Sequence, residues 1–172
     1  MRALPADGTV PGAPGWRAMA TPGHSPGHVS LVRDRDRTVV VGDAFVTTQQ
    51  ESAMAVLTQR VELHGPPMYY TCDWDAARES VRDLAALDPA LAITGHGQPM
   101  RGDALRAQLR AVARDFDQVA RPAHGRYARR PAVTDARGVV ERPPPVPDAT
   151  SIGLAATALT VGLLAGSVRR SR

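Results

Sequence analysis

The stretch TPGHSPGHVSLV, residues 21–32, sets two histidines four positions apart in a frame of Pro, Gly and Ser, then runs directly into an apolar segment. Proline and glycine at that density make a tight turn, and HVSLV (28–32) reads as a strand leaving it. The chain has five histidines and spends two of them here. A rigid turn at the mouth of a strand is where a scaffold presents reactive side chains. Two other segments share the form. TVVVGD (38–43) is a strand that ends on Gly42 and Asp43, and LAIT (91–94) runs into GHG, with His96 between two glycines. Each junction carries an imidazole or a carboxylate, the ligand types of a catalytic metal site.

Taken in order and spacing, TPGHSPGHVSLV, VVVGDAF and ITGHG resemble the second half of a metallo-β-lactamase-fold hydrolase, closest to its glyoxalase-II-like branch, over roughly residues 16–120. The resemblance implies an α/β fold, the C-terminal half of an αββα sandwich. It implies that His24 ligates a first metal, that Asp43 bridges two metals as the catalytic carboxylate, and that His96 ligates the second. His28 is implied to support the turn through its ring nitrogens rather than to bind metal. The implied cofactor is zinc, one or two ions, with iron or manganese compatible with the same donors. The implied activity is hydrolysis of a small-molecule ester or thioester by a hydroxide formed on the metals.

These hydrolases carry an earlier HxHxDH motif that supplies most of the remaining ligands. This sequence contains none, and His64 and His124 both lie after the histidine turn. The expectation is therefore a truncated domain, beginning at Met1 about where the second half of such a fold begins. Such a chain hydrolyses little by itself and calls for a partner chain that supplies the N-terminal half. Half a sandwich also leaves one sheet face and one edge uncovered. The alternative is a catalytically inactive remnant or interaction module, tethered or not to a membrane.

Bulk properties narrow the classes. The 172 residues suit one domain and a tail, and 43% apolar content supports a core. The net charge of +4 comes entirely from arginine, scattered along the chain, with aromatics at only 4%. A nucleic-acid binder concentrates its charge and interleaves stacking rings, so no nucleic-acid partner is expected, and an RNA-processing member of the fold is disfavoured. Cys72 is the single cysteine, which rules out an internal disulfide. The opening residues lack an apolar export signal, so the globular part is expected in the cytoplasm.

The organisation expected is a partial domain over 1–120, a Pro/Arg-rich linker over 121–149, and an apolar helix with a basic end over 150–172. WRAMA (16–20) adds a strand, and RDRDR (33–37) a solvated hairpin connection. A helix is expected over 73–89, capped by Asp73 or Asp75, with Trp74, Ala77, Val81, Leu84 and Ala85 on one face. A second is expected over 103–120, through Leu105, Leu109, Val112, Phe116 and Val119. HGPPMYYTCDW (64–74) reads as a loop near the site mouth, where Tyr69 and Tyr70 either touch substrate or pack beneath the loop. RPAHGRYARRP (121–131) is solvated charge by default, or a contact for anionic lipid or a phosphate-bearing substrate. SIGLAATALTVGLLAGSV (151–168) lies at the lower edge of the ~17–25 residues that span a bilayer and is either a membrane anchor or an Ala-rich helix docked on a partner or frayed in solvent.

Overall fold

The computed structural model describes residues 5, 7–48, 54, 57, 61–68, 70–135 and 138–145. The apolar segment at 151–168 and Tyr69 lie outside the described residues. Among the described residues, no helix is long and apolar enough to cross a membrane.

A five-stranded sheet is built in the order β1 (Arg17–Ala20), β2 (Val29–Arg33), β3 (Thr38–Gly42), β4 (Leu91–Thr94) and β5 (Met100–Arg101). The first three form an antiparallel meander. RDRDR makes its second turn through a short 3-10 segment, Asp34–Asp36, with Arg37 at φ 53° closing it. β4 pairs with β3 in parallel. A parallel neighbour needs a crossover, and helix α1 (Trp74–Ala86) supplies it. Asp73 caps α1, its side chain accepting from the amides of Asp75 and Ala76. The other carboxylate considered for the cap, Asp75, instead pairs with Arg78 and Arg121.

After β5 the chain enters α2 (Gly102–Arg114) and, past a break at Asp115, the single turn α3 (Phe116–Val119). The expected continuous helix over 103–120 is thus two pieces. Leu105, Leu109, Val112 and Phe116 are buried as their spacing predicts, but the break turns Val119 outward, 59% exposed.

The sheet presents two unlike faces. Register aligns Val32, Val39, Ala92 and Met100 in one row, all buried beneath α1 and α2 with Trp74, Val81, Leu84, Leu105 and Leu109. The adjacent row, Ala18, Leu31, Val40 and Ile93, is equally apolar, but none of its side chains is buried, and Ile93 is 37% exposed. Half of a two-sheet sandwich has this asymmetry, a covered face and an apolar face with no layer over it among the described residues.

The Pro/Arg-rich stretch carries little helix, as its composition predicts, yet part of it is docked. Ala128 and Ala132 are buried, and the Ala132 amide donates to the Cys72 carbonyl at 2.9 Å. Beyond them β6 (Val133–Asp135) and β7 (Gly138–Glu141) form an exposed two-stranded ribbon that composition did not predict.

Candidate metal centre

Strand directions gather the three candidate ligands at one end of the sheet. β3 and β4 run parallel, so Asp43 and His96, each just past a strand C-terminus, share that end. β2 runs the other way, so the turn before it, which carries His24 and His28, sits at the same end. Catalytic groups in sheets with parallel strands commonly collect at this location.

The local geometry is tight. Asp43 stands between two imidazoles, with Oδ2 at 3.5 Å from His24 Nε2 and Oδ1 at 3.6 Å from His96 Nε2. Neither approach is close enough for a hydrogen bond. His24 turns its other nitrogen, Nδ1, to the Thr71 hydroxyl at 3.3 Å, and that hydroxyl donates to the Pro67 carbonyl at 2.7 Å. With its proton committed to Pro67, Thr71 accepts from His24, which leaves Nε2 unprotonated in the neutral ring. Burial lowers the pKa of His24, as do the neighbouring rings of His28 and His96, against the opposing pull of Asp43. The neutral ring with a free Nε2 lone pair is the ligand form of histidine.

His28 has a different task. The Asp43 amide donates to His28 Nε2 at 3.2 Å, so that nitrogen is an acceptor and the proton of the neutral ring must sit on Nδ1. Nδ1 lies 2.9 Å from the Thr21 hydroxyl, which lies 2.9 Å from the Ser30 hydroxyl, which reaches the Val41 carbonyl at 3.5 Å. A directed chain follows, from Asp43 N–H through His28, Thr21 and Ser30 back to β3. Burial lowers the pKa of His28, which agrees with a neutral ring.

Two glycines set the close approaches. Gly23, at φ 134°, lies against the backbone of Ala77 in α1, where any Cβ would collide with main chain. Its carbonyl also accepts from the amides of Cys72 and Asp73 at 3.0 Å each, tying the histidine turn to the start of α1. Gly95 lies against Asp43 Oδ1, so a side chain there would displace the carboxylate. The His96 loop is pinned by two threonines: Thr47 donates to the Gln98 carbonyl at 2.6 Å, and Thr94 to the His96 carbonyl at 2.8 Å.

One atom tests whether these residues fit a cation. Asp43 Oδ1 is buried and has no hydrogen-bond partner. A buried carboxylate oxygen without a donor is costly unless a positive charge meets it. Ligand atoms on a tetrahedral zinc, each roughly 2.1 Å from the ion, stand about 3.4 Å apart, close to the two observed separations. Among the described residues no three His, Cys, Asp or Glu side chains gather so as to hold one ion. The arrangement is instead two His–carboxylate pairs that share Asp43, each fitting two corners of a cation site.

The motifs singled out His24, His28, Asp43 and His96, and the structure brings all four side by side. Thr71, Thr21, Ser30 and Thr47 were missed. Thr71 lies 47 positions from the histidine it orients. Its one local signal is that it precedes the α1 cap, where the chain must turn against something. The backbone of His64 pairs with Val46. Tyr70 is 75% exposed, with its ring edge-on to His24 at 6.5 Å between centroids, rather than packed beneath the loop.

The model of the Metallo-beta-lactamase superfamily matches residues 2–96. The chain is 48% identical over 119 residues to the probable metallo-hydrolase YflN of Bacillus subtilis, a match that covers 69% of this chain and 45% of YflN. Among solved structures, it is similar to a beta-lactamase domain protein from Burkholderia ambifaria, at 23% identity, with 68% of this chain and 33% of that one covered and a TM-score of 0.44. It is also similar to TTHA1623, solved in a di-iron-bound form, at 24% identity, with 63% and 43% covered and a TM-score of 0.36. The chain thus spans less than half the length of the curated relative.

Proposed function

Since the chain belongs to the metallo-beta-lactamase superfamily, we propose that it carries the C-terminal ligand set of a metal-dependent hydrolase acting on a small-molecule ester or thioester. The observation that carries this reading is Asp43, with one oxygen toward each of two imidazoles and Oδ1 buried without a donor. His24 and Asp43 Oδ2 would hold one cation, and His96 and Asp43 Oδ1 a second. Zinc suits these donors, and iron or manganese would satisfy the same set. Such a cation, when bound, polarises a carbonyl and lowers the pKa of water.

The chain's own contribution is positioning. Thr71 fixes the ring of His24 so that Nε2 faces the carboxylate, and His28 holds the Asp43 main chain. Gly95 leaves the carboxylate room, and Tyr70 stands at the edge of His24 facing solvent, where a substrate acyl group would arrive.

Two protein ligands per cation are too few for tight retention, because catalytic zinc sites use three. We propose that the remaining ligands, and the layer over Ala18, Leu31, Val40 and Ile93, come from a partner chain that supplies an N-terminal half. Turnover by this chain alone should accordingly be slow. That open row also favours a second reading, an interaction module whose own catalysis is lost.

The discriminating experiment assays the purified chain, loaded in turn with zinc, iron and manganese, against aryl esters and thioesters. Slow hydrolysis that rises with metal loading and disappears in Asp43→Ala supports the hydrolase. Metal loading without Asp43-dependent turnover supports the interaction module.

A further inference from the structure

The segment after Arg121 folds back over the loop that leads into α1, held by the bond from Ala132 to Cys72. Between the two lies a cavity of about 450 Å³ whose lining includes Met68, Thr71, Trp74, Arg126 and Tyr127. Thr71 therefore has two neighbours: its hydroxyl meets His24, and its flank forms part of this cavity wall.

Arg126 is the partly buried charge in this wall. Arginines of the helical face have carboxylates: Arg78 pairs with Glu79 and Asp117, Arg110 with Asp88, and Arg121 with Asp117. Arg126 is half-buried and, among the described residues, has no acidic partner. The groups that fit the fork of an arginine in a cavity wall without a carboxylate beside it are carboxylate and phosphate. The walls beside it are aromatic and thioether carbon, from Trp74, Tyr127 and Met68, which suit a compact apolar body.

We infer that this cavity is an oxyanion subsite, in which Arg126 receives the carboxylate or phosphate of a small molecule whose apolar part lies against Tyr127 and Met68. Arg126 lines both this cavity and an adjoining hollow where Arg129 and Arg130 are exposed; it is partly buried where they are exposed, which favours a small molecule over a membrane surface. Its assignment as a substrate subsite rests on the hydrolase reading, because Thr71 joins it to His24. The anion site itself does not.

The test titrates the metal-free 172-residue chain with phenylacetate, its neutral isostere phenylacetamide, inorganic phosphate and phosphatidylglycerol vesicles, following backbone amide shifts. Saturable shifts at Thr71 and Tyr127 are expected with phenylacetate, or with phosphate if the natural group is phosphoryl. Phenylacetamide should bind about tenfold or more weakly, as should phenylacetate to Arg126→Gln, with Arg126→Lys intermediate. Circular dichroism checks that the variants remain folded. Equal binding of the amide and the acid, anion binding indifferent to both Arg126 variants, or shifts caused by vesicles alone would overturn the inference. The titration uses the metal-free chain, so its outcome decides the anion site alone, and the Asp43-dependent turnover assay decides the hydrolase reading separately.

Discussion

The main-chain N–H of Asp43 donates to Nε2 of His28, so the second histidine of the turn grips the backbone of the residue whose carboxylate faces the first. A rigid bracket results: the turn before β2 and the end of β3 are joined by an imidazole whose protonation state is fixed by what it accepts and donates.

Removing that bracket has a defined cost. In His28→Ala the Asp43 amide loses its acceptor, which should lower unfolding free energy by about 1–2 kcal/mol. It should also raise the hydrogen-exchange rate of that amide more than those of β4. Denaturant titration and amide exchange measure both, and an unchanged Asp43 amide would show that His28 is not its anchor.

Gly95→Ala should separate site from scaffold. The new Cβ meets Asp43 Oδ1, the end of a side chain that can rotate away. Global stability should fall by less than about 1 kcal/mol, while cation affinity falls roughly tenfold as the carboxylate leaves its place. Calorimetry of zinc binding beside thermal unfolding reads the two effects, and equal affinity would mean that the carboxylate position does not matter.

Acidification should destabilise the metal-free chain through the same residues. Burial holds the pKa of His24 and of His28 below 6.5 in the folded state. Between those depressed values and 6.5 the unfolded chain binds more protons, so stability rises with pH across that window. The contribution is complete above 6.5 and is lost as pH falls through the folded pKa values. A stability–pH profile should therefore slope upward there, and the slope should flatten in the double variant His24→Gln, His28→Gln. A slope unaffected by the double change would place its origin elsewhere.

Neighbouring valines on β3 should respond differently. Val39 is buried under the helices, so Val39→Ala should cost about 1.5–3 kcal/mol. Val40 lies in the open row, where Val40→Ala should cost less than about 1 kcal/mol in the isolated chain. Equilibrium unfolding of the two variants decides, and equal losses would mean that the second face is covered in solution.

Much of this arrangement was legible in the letters because it is encoded locally. Short β-branched runs punctuated by Pro, Gly and charge gave β2, β3 and β4 to within a residue of their ends, and each junction residue at 24, 43 and 96 follows or precedes such a run. What the letters hid is relational. Nothing in VVV tells Val39, buried, from Val40, uncovered, until register sets each in a row with its neighbours. Thr71 orients His24 only because α1 crosses to bring them together. The spacing through Phe116 and Val119 continues a helical period, so the break at Asp115 had no apolar signature. The ribbon β6–β7 was hidden because Pro and Arg dominate the composition around it.

We propose that His24 and His96 grip cations through Nε2 on either side of Asp43. Long-range proton–nitrogen NMR of the histidine rings during a zinc titration reads each ring nitrogen separately and tests that claim most directly. Nε2 of His24 and Nε2 of His96 should shift with added zinc, His28, His64 and His124 should not, and Asp43→Ala should abolish both shifts. Zinc-dependent shifts centred on His28, His64 or His124, or shifts at His24 and His96 that survive loss of the Asp43 carboxylate, would contradict it.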